Sequence, residues 1–445
     1  MRHDTIVALS TPPGRGGIGI IRLSGPNAAK VSLQFIVTKT LRPRQINYAA
    51  MLDSNGEIID QGIVLYFNAP HSFTGEDVIE LQCHGSPIIL DRLIQRCVAL
   101  GARIANPGEF SERAFLNNKI DLVQAEAIAD LINANSVTAT RMAMKSIQGE
   151  FSNKIHAINK RIIQLRTMIE GSLDFSEEEI EWSTDTTIEL TLTAIQDNLF
   201  QIQRQATSGS ILRDGLTVVI AGAPNVGKST LINQLAQREI AIVTEIAGTT
   251  RDVMRDQILL DDIPIQILDT AGLRDTTDLV ELEGIKRAWL AISAADCVLM
   301  VSDIQQLDYA ITPLIAKITQ AVAPNVPIIH IINKIDLKQP PLEDDKIFIS
   351  AKMGYGITTL VDKIKQMANF SQEDSLYLAR RRHLTAIANA CTYLSSGQQI
   401  IQQNRARELL AEDLRLAHRE LSVITGEFTT EDLLGEIFAN FCIGK

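Results

Sequence analysis

At residues 222–229 the chain reads Gly222-Ala223-Pro224-Asn225-Val226-Gly227-Lys228-Ser229, which fits the phosphate-binding pattern G-x-x-x-x-G-K-[ST]. An apolar run precedes this loop at residues 218–221, and a helix-like stretch begins at Lys228. The pattern needs this strand–loop–helix context, because the backbone N–H groups of the loop must point at phosphate oxygens. Lys228 adds a positive charge, and the Ser229 hydroxyl can ligate Mg²⁺. The sequence therefore predicts a nucleotide site on this loop.

Further motifs follow in the order and spacing of a Ras-like G domain: Gly248-Thr249-Thr250, Asp269-Thr270-Ala271-Gly272, Asn333-Lys334-Ile335-Asp336 and Ser350-Ala351-Lys352. Asp269 ends an apolar run and can hold Mg²⁺ through water, while Thr250 can complete the Mg²⁺ shell. Asp336 selects the base, because its carboxylate can accept hydrogen bonds from guanine where adenine offers no donor. The set predicts GTP and Mg²⁺ as ligands. The predicted nucleotide contacts in and beside these motifs are Asn225, Val226, Gly227, Lys228, Ser229, Thr230, Asp269, Thr270, Ala271, Gly272, Asn333, Lys334, Asp336, Ser350, Ala351 and Lys352.

One position departs from the Ras pattern. A glutamine that orients the attacking water is expected directly after Gly272, and this chain has Leu273, whose side chain forms no hydrogen bond. Another group must therefore orient the water, and the nearby acidic candidates are Asp275, Asp278, Glu281 and Glu283. Candidates for an arginine finger, with a solvated surface role as the alternative, are Arg251, Arg255 and Arg274.

Bulk composition limits the partners and the compartment. A chain of 445 residues is long enough for several domains. Its net charge of −11 argues against a broad nucleic-acid-binding surface, so any RNA contact needs a local basic patch or a partner. The sequence shows no signal-peptide pattern, no apolar run of transmembrane length and no C-x-x-C pair. These features predict a cytoplasmic protein without a disulfide framework and without a membrane partner.

The order of sequence patterns predicts a multidomain fold. Residues 1–118 mix short apolar runs, turns and helical pieces, which indicates an α+β domain. Residues 119–210 and 371–445 are helix-like and are expected to pack together as one all-α domain, with a long helix capped by Asp121 and a linker at 207–210. Residues 211–370 alternate strands and helices, which indicates an α/β Ras-like G domain inserted between the two helical parts.

Both ends of the chain then resemble one family, the tRNA modification GTPases called MnmE or TrmE. The resemblance covers essentially the whole chain. Generic GTPases lack the segments that carry it, which are 4–8, 11–17, Phe73-Thr74-Gly75-Glu76-Asp77, His84-Gly85, Pro107-Gly108-Glu109-Phe110, 115–117 and the terminal Cys442-Ile443-Gly444-Lys445.

The resemblance implies a function that the G motifs alone do not. Members of this family work with a flavoprotein, MnmG or GidA, in a heterotetramer. Together they add an aminomethyl or carboxymethylaminomethyl group to carbon five of the wobble uridine of certain tRNAs. The one-carbon unit comes from a 5-formyl- or methylene-tetrahydrofolate on the N-terminal domain, through which the protein forms a homodimer. Potassium-dependent dimerisation of the G domains activates GTP hydrolysis.

Carried over by position, the resemblance assigns roles to further residues. Asn225 and the backbone carbonyls of Thr244, Ile246 and Thr249 would ligate K⁺, within a nucleotide-contacting segment that reads Thr244, Glu245, Ile246, Ala247, Gly248, Thr249 and Thr250. Glu281 would position the attacking water and act in catalysis with Lys228 and Thr250. Folate would contact Arg22, Glu80, Lys119 and Lys445. Cys442 is either a small apolar filler or a catalytic thiol near folate.

Two other functions share the G motifs. One is an RNA-binding regulatory GTPase in ribosome assembly without modification chemistry. The other is a folate enzyme with a vestigial G domain, against which the intact Lys228, Ser229, Asp269 and Asp336 argue. The basic run Arg380-Arg381-Arg382-His383 is either an RNA or partner contact or a solvated helix face.

Overall fold

The structure is a computed structural model. It describes residues 4–38, 40–174, 185–238, 255–260, 263–269, 289, 292–293, 295–306, 318, 320–322, 326–338, 346–367, 377–403, 407–427, 431–439, 441 and 444. The chain divides into two compact units. The first contains Met1–Ile132, Ser146–Ile188 and Ser396–Lys445, and the second contains Asn133–Lys145 and Glu189–Ser395.

A six-stranded, mostly antiparallel sheet organises the first unit. Its strands are β1 (Ile6–Leu9), β2 (Gly16–Ser24), β3 (Asn47–Leu52), β4 (Ile58–Phe67), β5 (Val78–Gly85) and β6 (Arg103–Ile104). Their spatial order is β3-β4-β5-β2-β1-β6, and among them only β1 and β6 pair in parallel. Alternate residues of β5 point into the core, so Ile79, Leu81 and Cys83 are buried while Glu80 lies on the opposite face. Helices Ala28–Leu33 and Pro87–Ala99 pack against this sheet.

Helices from distant parts of the chain complete the first unit. Glu150–Asp174 packs along Arg407–Thr425, and between them the Asn159 amide donates a buried hydrogen bond of 3.1 Å to the Ser422 hydroxyl. Residues that precede the 211–370 segment in the sequence therefore pack against residues that follow it. The other helices of this unit are Glu109–Leu116, Leu122–Ile132 and Glu431–Ala439.

A network of ion pairs links Asp4, two residues before the first strand, to helix Glu109–Leu116. Arg113 donates to Asp4 at 2.8 Å, to Glu109 at 3.0 Å and to Glu76 at 3.1 Å. Arg103 adds a bond of 2.6 Å to Glu109. The side chains of Glu109 and Arg113 are only 1% and 6% exposed, whereas those of Arg103 and Asp4 are 39% and 41% exposed. The network therefore runs from the interior of the unit to its surface.

The end of the chain packs against its beginning. Gly108 has φ 67°, and a Cβ there would lie 2.6 Å from the Phe438 carbonyl oxygen, so only glycine fits this turn. The Gly444 carbonyl accepts a hydrogen bond of 3.2 Å from the Ser10 hydroxyl. Gly444 therefore lies beside the end of β1.

The second unit contains a six-stranded sheet. Its strands are β7 (Leu216–Ala221), β8 (Arg255–Leu260), β9 (Ile263–Asp269), β10 (Cys297–Asp303), β11 (Ile328–Asn333) and β12 (Ile347–Phe348). Their spatial order is β12-β11-β10-β7-β9-β8, and all neighbours run parallel except the edge strand β8, which is antiparallel to β9. Apolar clusters cover the strands on both faces, which explains their continuous apolar runs. This order with its single antiparallel edge is that of a Ras-like G domain, so the predicted fold class is confirmed.

Three local expectations need correction. The Asp121–Gln124 capping box forms, with reciprocal bonds of 2.8 and 2.9 Å, but its helix ends at Ile132 instead of continuing. The predicted linker at 207–210 lies inside helix Asp185–Asp214. Its glycine is there because a Cβ on Gly209 would lie 2.0 Å from the Tyr377 carbonyl oxygen. The basic run at 380–383 is not a uniform surface, because His383 is buried and accepts the Arg380 N–H.

The remaining helices among the described residues are Val137–Ile147, Lys228–Arg238, Ile357–Met367 and Arg381–Gln402, with a 3₁₀ turn at Ile304–Gln306.

Candidate active site

The phosphate loop joins β7 to helix Lys228–Arg238 at the carboxyl edge of the second sheet. Its conformation is left-handed at Asn225 (φ 65°) and at Gly227 (φ 98°). A Cβ on Gly227 would lie 2.4 Å from the Asn333 amide nitrogen, and one on Gly222 would lie 2.3 Å from the Val301 carbonyl oxygen. Close packing therefore requires both glycines of the motif, and backbone conformation is a second requirement at Gly227.

Lys228 lies against the loop that precedes it. Its ammonium donates to the Gly222 carbonyl at 2.9 Å and to the Ala223 carbonyl at 3.0 Å, and the residue is buried. Ser229 and Thr230 are exposed in the first turn of the helix, where free backbone N–H groups and the helix dipole favour an anion. This end of the helix presents the groups that a polyphosphate and its metal need.

The Asn333 side chain links its own loop to the phosphate loop and to the loop at 350–352. Its side-chain nitrogen donates to the Val226 carbonyl at 2.8 Å, and its side-chain oxygen accepts the Ala351 N–H at 2.9 Å. The residue is only 2% exposed. Because it ends β11, parallel pairing brings it to the same sheet edge as the phosphate loop.

The Asp336 carboxylate is held in one orientation by a neighbouring motif. The Ser350 hydroxyl donates to Asp336 Oδ1 at 2.5 Å and also accepts the Met353 N–H at 3.2 Å. Lys352 is exposed beside them. The two predicted base-reading motifs therefore meet, as guanine recognition requires.

Sequence reasoning missed Asp303. Its carboxylate contacts the Lys334 ammonium at 2.6 Å, and the same ammonium donates to the Asn225 carbonyl at 2.8 Å. Burial alone would raise the pKa of Asp303, but the hydrogen bonds from Lys334 and from the Gln305 N–H lower it. The sequence did contain a signal for Asp303. This acidic residue ends the apolar run of β10, just as the polar Asn333 ends the apolar run of β11.

Several predicted site residues lie outside the described residues. The structure gives the backbone of Asp269 at the end of β9, beside Ile220 of β7. No position is described for Thr244, Glu245, Ile246, Ala247, Gly248, Thr249, Thr250, Thr270, Ala271, Gly272, Glu281, Cys442 and Lys445.

In the first unit, Arg22 and Glu80 form a cross-strand pair. The Arg22 guanidinium donates to one Glu80 oxygen at 2.8 and 2.9 Å, from the face of the sheet opposite the core. Its central carbon lies 6.0 Å from the centre of the Phe73 ring and 5.8 Å from that of Phe110. The Lys119 ammonium donates to the Pro70 carbonyl at 2.8 Å. Two of the residues predicted for folate, Arg22 and Lys119, thus lie beside the turn at 70–75, and the third, Glu80, pairs with Arg22.

The full-length comparisons identify the family. A family model described as the MnmE helical domain matches residues 122–442, and one described as the GTP-binding protein TrmE N-terminus matches residues 5–119. The tRNA modification GTPase MnmE of Legionella pneumophila (strain Corby) is 55% identical over 447 residues, covering 100% of both chains. That of Vibrio cholerae serotype O1 (strain ATCC 39315 / El Tor Inaba N16961) is 50% identical over 455 residues, again with 100% of both covered.

This chain belongs to the MnmE family of tRNA modification GTPases.

It is therefore a GTP hydrolase that acts in tRNA modification, and the predicted resemblance is confirmed. Among solved structures, Aquifex aeolicus Era bound to GDP.AlF4- is 28% identical and covers 40% of this chain and 66% of its own, with a TM-score of 0.26. A TM-score of 0.26 is too low to assign a fold, so the Ras-like fold of the second sheet is assigned from its strand order. None of the helices within the described ranges is long and apolar enough to span a membrane.

Proposed function

We propose that this GTPase modifies carbon five of the wobble uridine in certain tRNAs, together with a flavoprotein of the MnmG (GidA) type. The added group would be aminomethyl or carboxymethylaminomethyl. The observation that carries this proposal is similarity over the entire chain, including both ends, to proteins named as tRNA modification GTPases. A ribosome-assembly GTPase would share the second sheet and its motifs but would not need the first unit.

Mass spectrometry of wobble nucleosides tests this function. In cells that lack the protein, we expect the modified uridine to disappear and to return with the wild-type gene. A Lys228→Ala gene should not restore it, because the phosphate loop would lose its buried ammonium. Unchanged nucleosides together with accumulated ribosome precursors would instead support the assembly function.

Potassium-dependent pairing of G domains is the proposed mode of activation. Asn225 suits a cation ligand, because its side chain is exposed at the loop while Lys334 holds its carbonyl. The remaining K⁺ ligands would be Thr244, Ile246 and Thr249, and Mg²⁺ would be held by Ser229 and Thr250. A K⁺ held by these residues would offset charge that develops between the β- and γ-phosphates. Glu281 would position the water that Leu273 cannot orient.

Turnover of GTP should therefore depend on the cation. We expect the wild-type rate in KCl to exceed the rate in NaCl by about tenfold or more, since lost electrostatic stabilisation slows a phosphoryl transfer by such factors. Asn225→Ala should remove most of this difference. The matched control is Asn159→Ala, which lies between helices of the first unit and should keep the cation dependence. Equal rates in both salts would contradict the proposal.

The first unit is the proposed site for 5-formyl- or methylene-tetrahydrofolate. Arg22 and Glu80 offer a cation and a carboxylate side by side, with the Phe73 and Phe110 rings close to the guanidinium. The chain end approaches this pair, because Ser10 contacts the Gly444 carbonyl and donates its N–H to Ile20, two residues along β2 from Arg22. By resemblance to the family we extend this site to Lys445 and to a Cys442 thiol, which lie within two residues of Gly444 in the sequence.

Folate affinity should fall by about tenfold to a hundredfold in Arg22→Ala, because a hydrogen bond to a charged group is lost. Calorimetry with 5-formyltetrahydrofolate measures it. Arg92→Ala is the matched control, since Arg92 forms a similar arginine–carboxylate pair with Asp53 elsewhere in the unit. Unchanged affinity in Arg22→Ala would move the folate site elsewhere.

The proposed assembly is a homodimer through the N-terminal domain, joined by the flavoprotein as a heterotetramer in the cytoplasm. Large apolar side chains on the first sheet support a protein contact there. Ile18 on β2, Tyr48 on β3 and Ile58 on β4 are all exposed.

A further inference from the structure

Two non-glycine residues with left-handed backbone conformation meet in the nucleotide site. Asn225 in the phosphate loop has φ 65°, and Lys334 in the base-reading motif has φ 68°. The Lys334 ammonium donates to the Asn225 carbonyl at 2.8 Å. Such conformations are unfavourable for residues with a Cβ and persist only where surrounding contacts hold them. The hydrogen bond between Lys334 and Asn225 is one such contact, and it directly links the loop that holds phosphate to the loop that reads the base.

Asp303 fixes the other side of that ammonium. Asp303 Oδ2 lies 2.6 Å from Lys334 Nζ, and Asp303 Oδ1 accepts the Gln305 N–H at 2.9 Å. The strand register places Asp303 directly beside Asn333, the residue before Lys334. With the carboxylate held by its own backbone and only 6% of the residue exposed, Asp303 is a rigid anchor.

The charge of Asp303 suits this role. Like any aspartate, Asp303 is ionised at neutral pH, and its hydrogen bond with the Lys334 ammonium lowers its pKa further. A hydrogen bond between charged groups is stronger than one between neutral groups. The Lys334 side chain is 31% exposed, so without the carboxylate its long, flexible stem could turn into solvent. The Asn225 carbonyl would then lose its donor.

We propose that Asp303 is a positioning residue that holds Lys334 against Asn225 and so couples the base-reading loop to the phosphate loop. Asp303 lies outside the G motifs recognised in the sequence. It acts on bound nucleotide through Lys334 and not by touching the nucleotide. Its removal should loosen both loops together and speed nucleotide release.

Release of a fluorescent GDP analogue from the full-length protein tests this inference. Asp303→Asn keeps the shape and removes the charge, and it should speed release by about tenfold or more. Lys334→Met should speed release to a similar or greater extent. In the Lys334→Met background, Asp303→Asn should change the rate by less than about twofold, because the residue through which it acts is gone.

Asp296→Asn is the matched control. This residue precedes the same strand at its other end, where its carboxylate accepts the Thr217 N–H at 2.8 Å, and its replacement should leave GDP release unchanged. An unchanged rate in Asp303→Asn would overturn the inference. A full effect of Asp303→Asn in the Lys334→Met background would also overturn it, because Asp303 would then act by another route. If Asp303→Asn does not fold, an unchanged release rate in Lys334→Met would still overturn the coupling.

Discussion

Replacing Asp336 by asparagine is expected to lower the affinity for GTP by about a hundredfold or more and to raise the affinity for xanthosine triphosphate. The Asp336 carboxylate is oriented by Ser350 and can accept the two donors on the guanine edge. An asparagine offers one acceptor and one NH₂ group, so it clashes with the guanine amine. Xanthine carries a carbonyl in place of that amine and would accept from the asparagine. Sites built around a buried hydrogen bond discriminate by such large factors.

Calorimetry with GTP, xanthosine triphosphate and ATP measures this change in base preference. Ser350→Ala is the graded control, because it keeps the carboxylate and removes only the hydroxyl that orients it. A loss of about tenfold or less in GTP affinity is expected for Ser350→Ala. If Asp336→Asn lowered the affinity for all three nucleotides equally, Asp336 would not read the base.

Glu109→Gln is expected to destabilise the first unit by about 3–5 kcal/mol, as happens when one member of a buried ion pair is removed. Glu109 accepts hydrogen bonds from Arg103 and Arg113, and the Arg113 side chain is only 6% exposed. Losing the carboxylate charge leaves that guanidinium with fewer compensating partners. Urea unfolding followed by circular dichroism measures the difference from wild type.

The same residue makes stability depend on pH. Burial alone would raise the pKa of Glu109, but hydrogen bonds from Arg103, from the Asn106 N–H and from Arg113 lower it below the ordinary value of 4.5. Its stabilisation is therefore fully present above pH 4.5 and declines as the pH falls through the lowered folded pKa. Wild type and Glu109→Gln should converge in stability at acid pH.

An exposed carboxylate in the same unit provides the control for Glu109. Glu412 pairs with Arg415 on the surface of helix Arg407–Thr425, and Glu412→Gln should leave unfolding unchanged within error. Equal stability of Glu109→Gln and wild type at neutral pH would show that the buried network contributes little.

Local patterns predicted the parts of the site that depend on sequence spacing. The phosphate loop and the Asp121–Gln124 cap follow from backbone chemistry within a few residues, and the structure contains both. The linker prediction at 207–210 also used only local residue preferences, and it was wrong. Serine, threonine and glycine weaken a helix locally, but packing of Gly209 against Tyr377 favours the helix.

The sequence by itself determined the order of the G motifs, the preference for guanine and the family. These features depend on residue types at fixed spacings along the chain, and such spacings can be read directly. Only the tertiary structure decided that Asp303 anchors Lys334, that Arg22 meets Glu80 and that Gly444 lies beside Ser10. These pairs are 31, 58 and 434 residues apart, and strand register and chain packing bring them together.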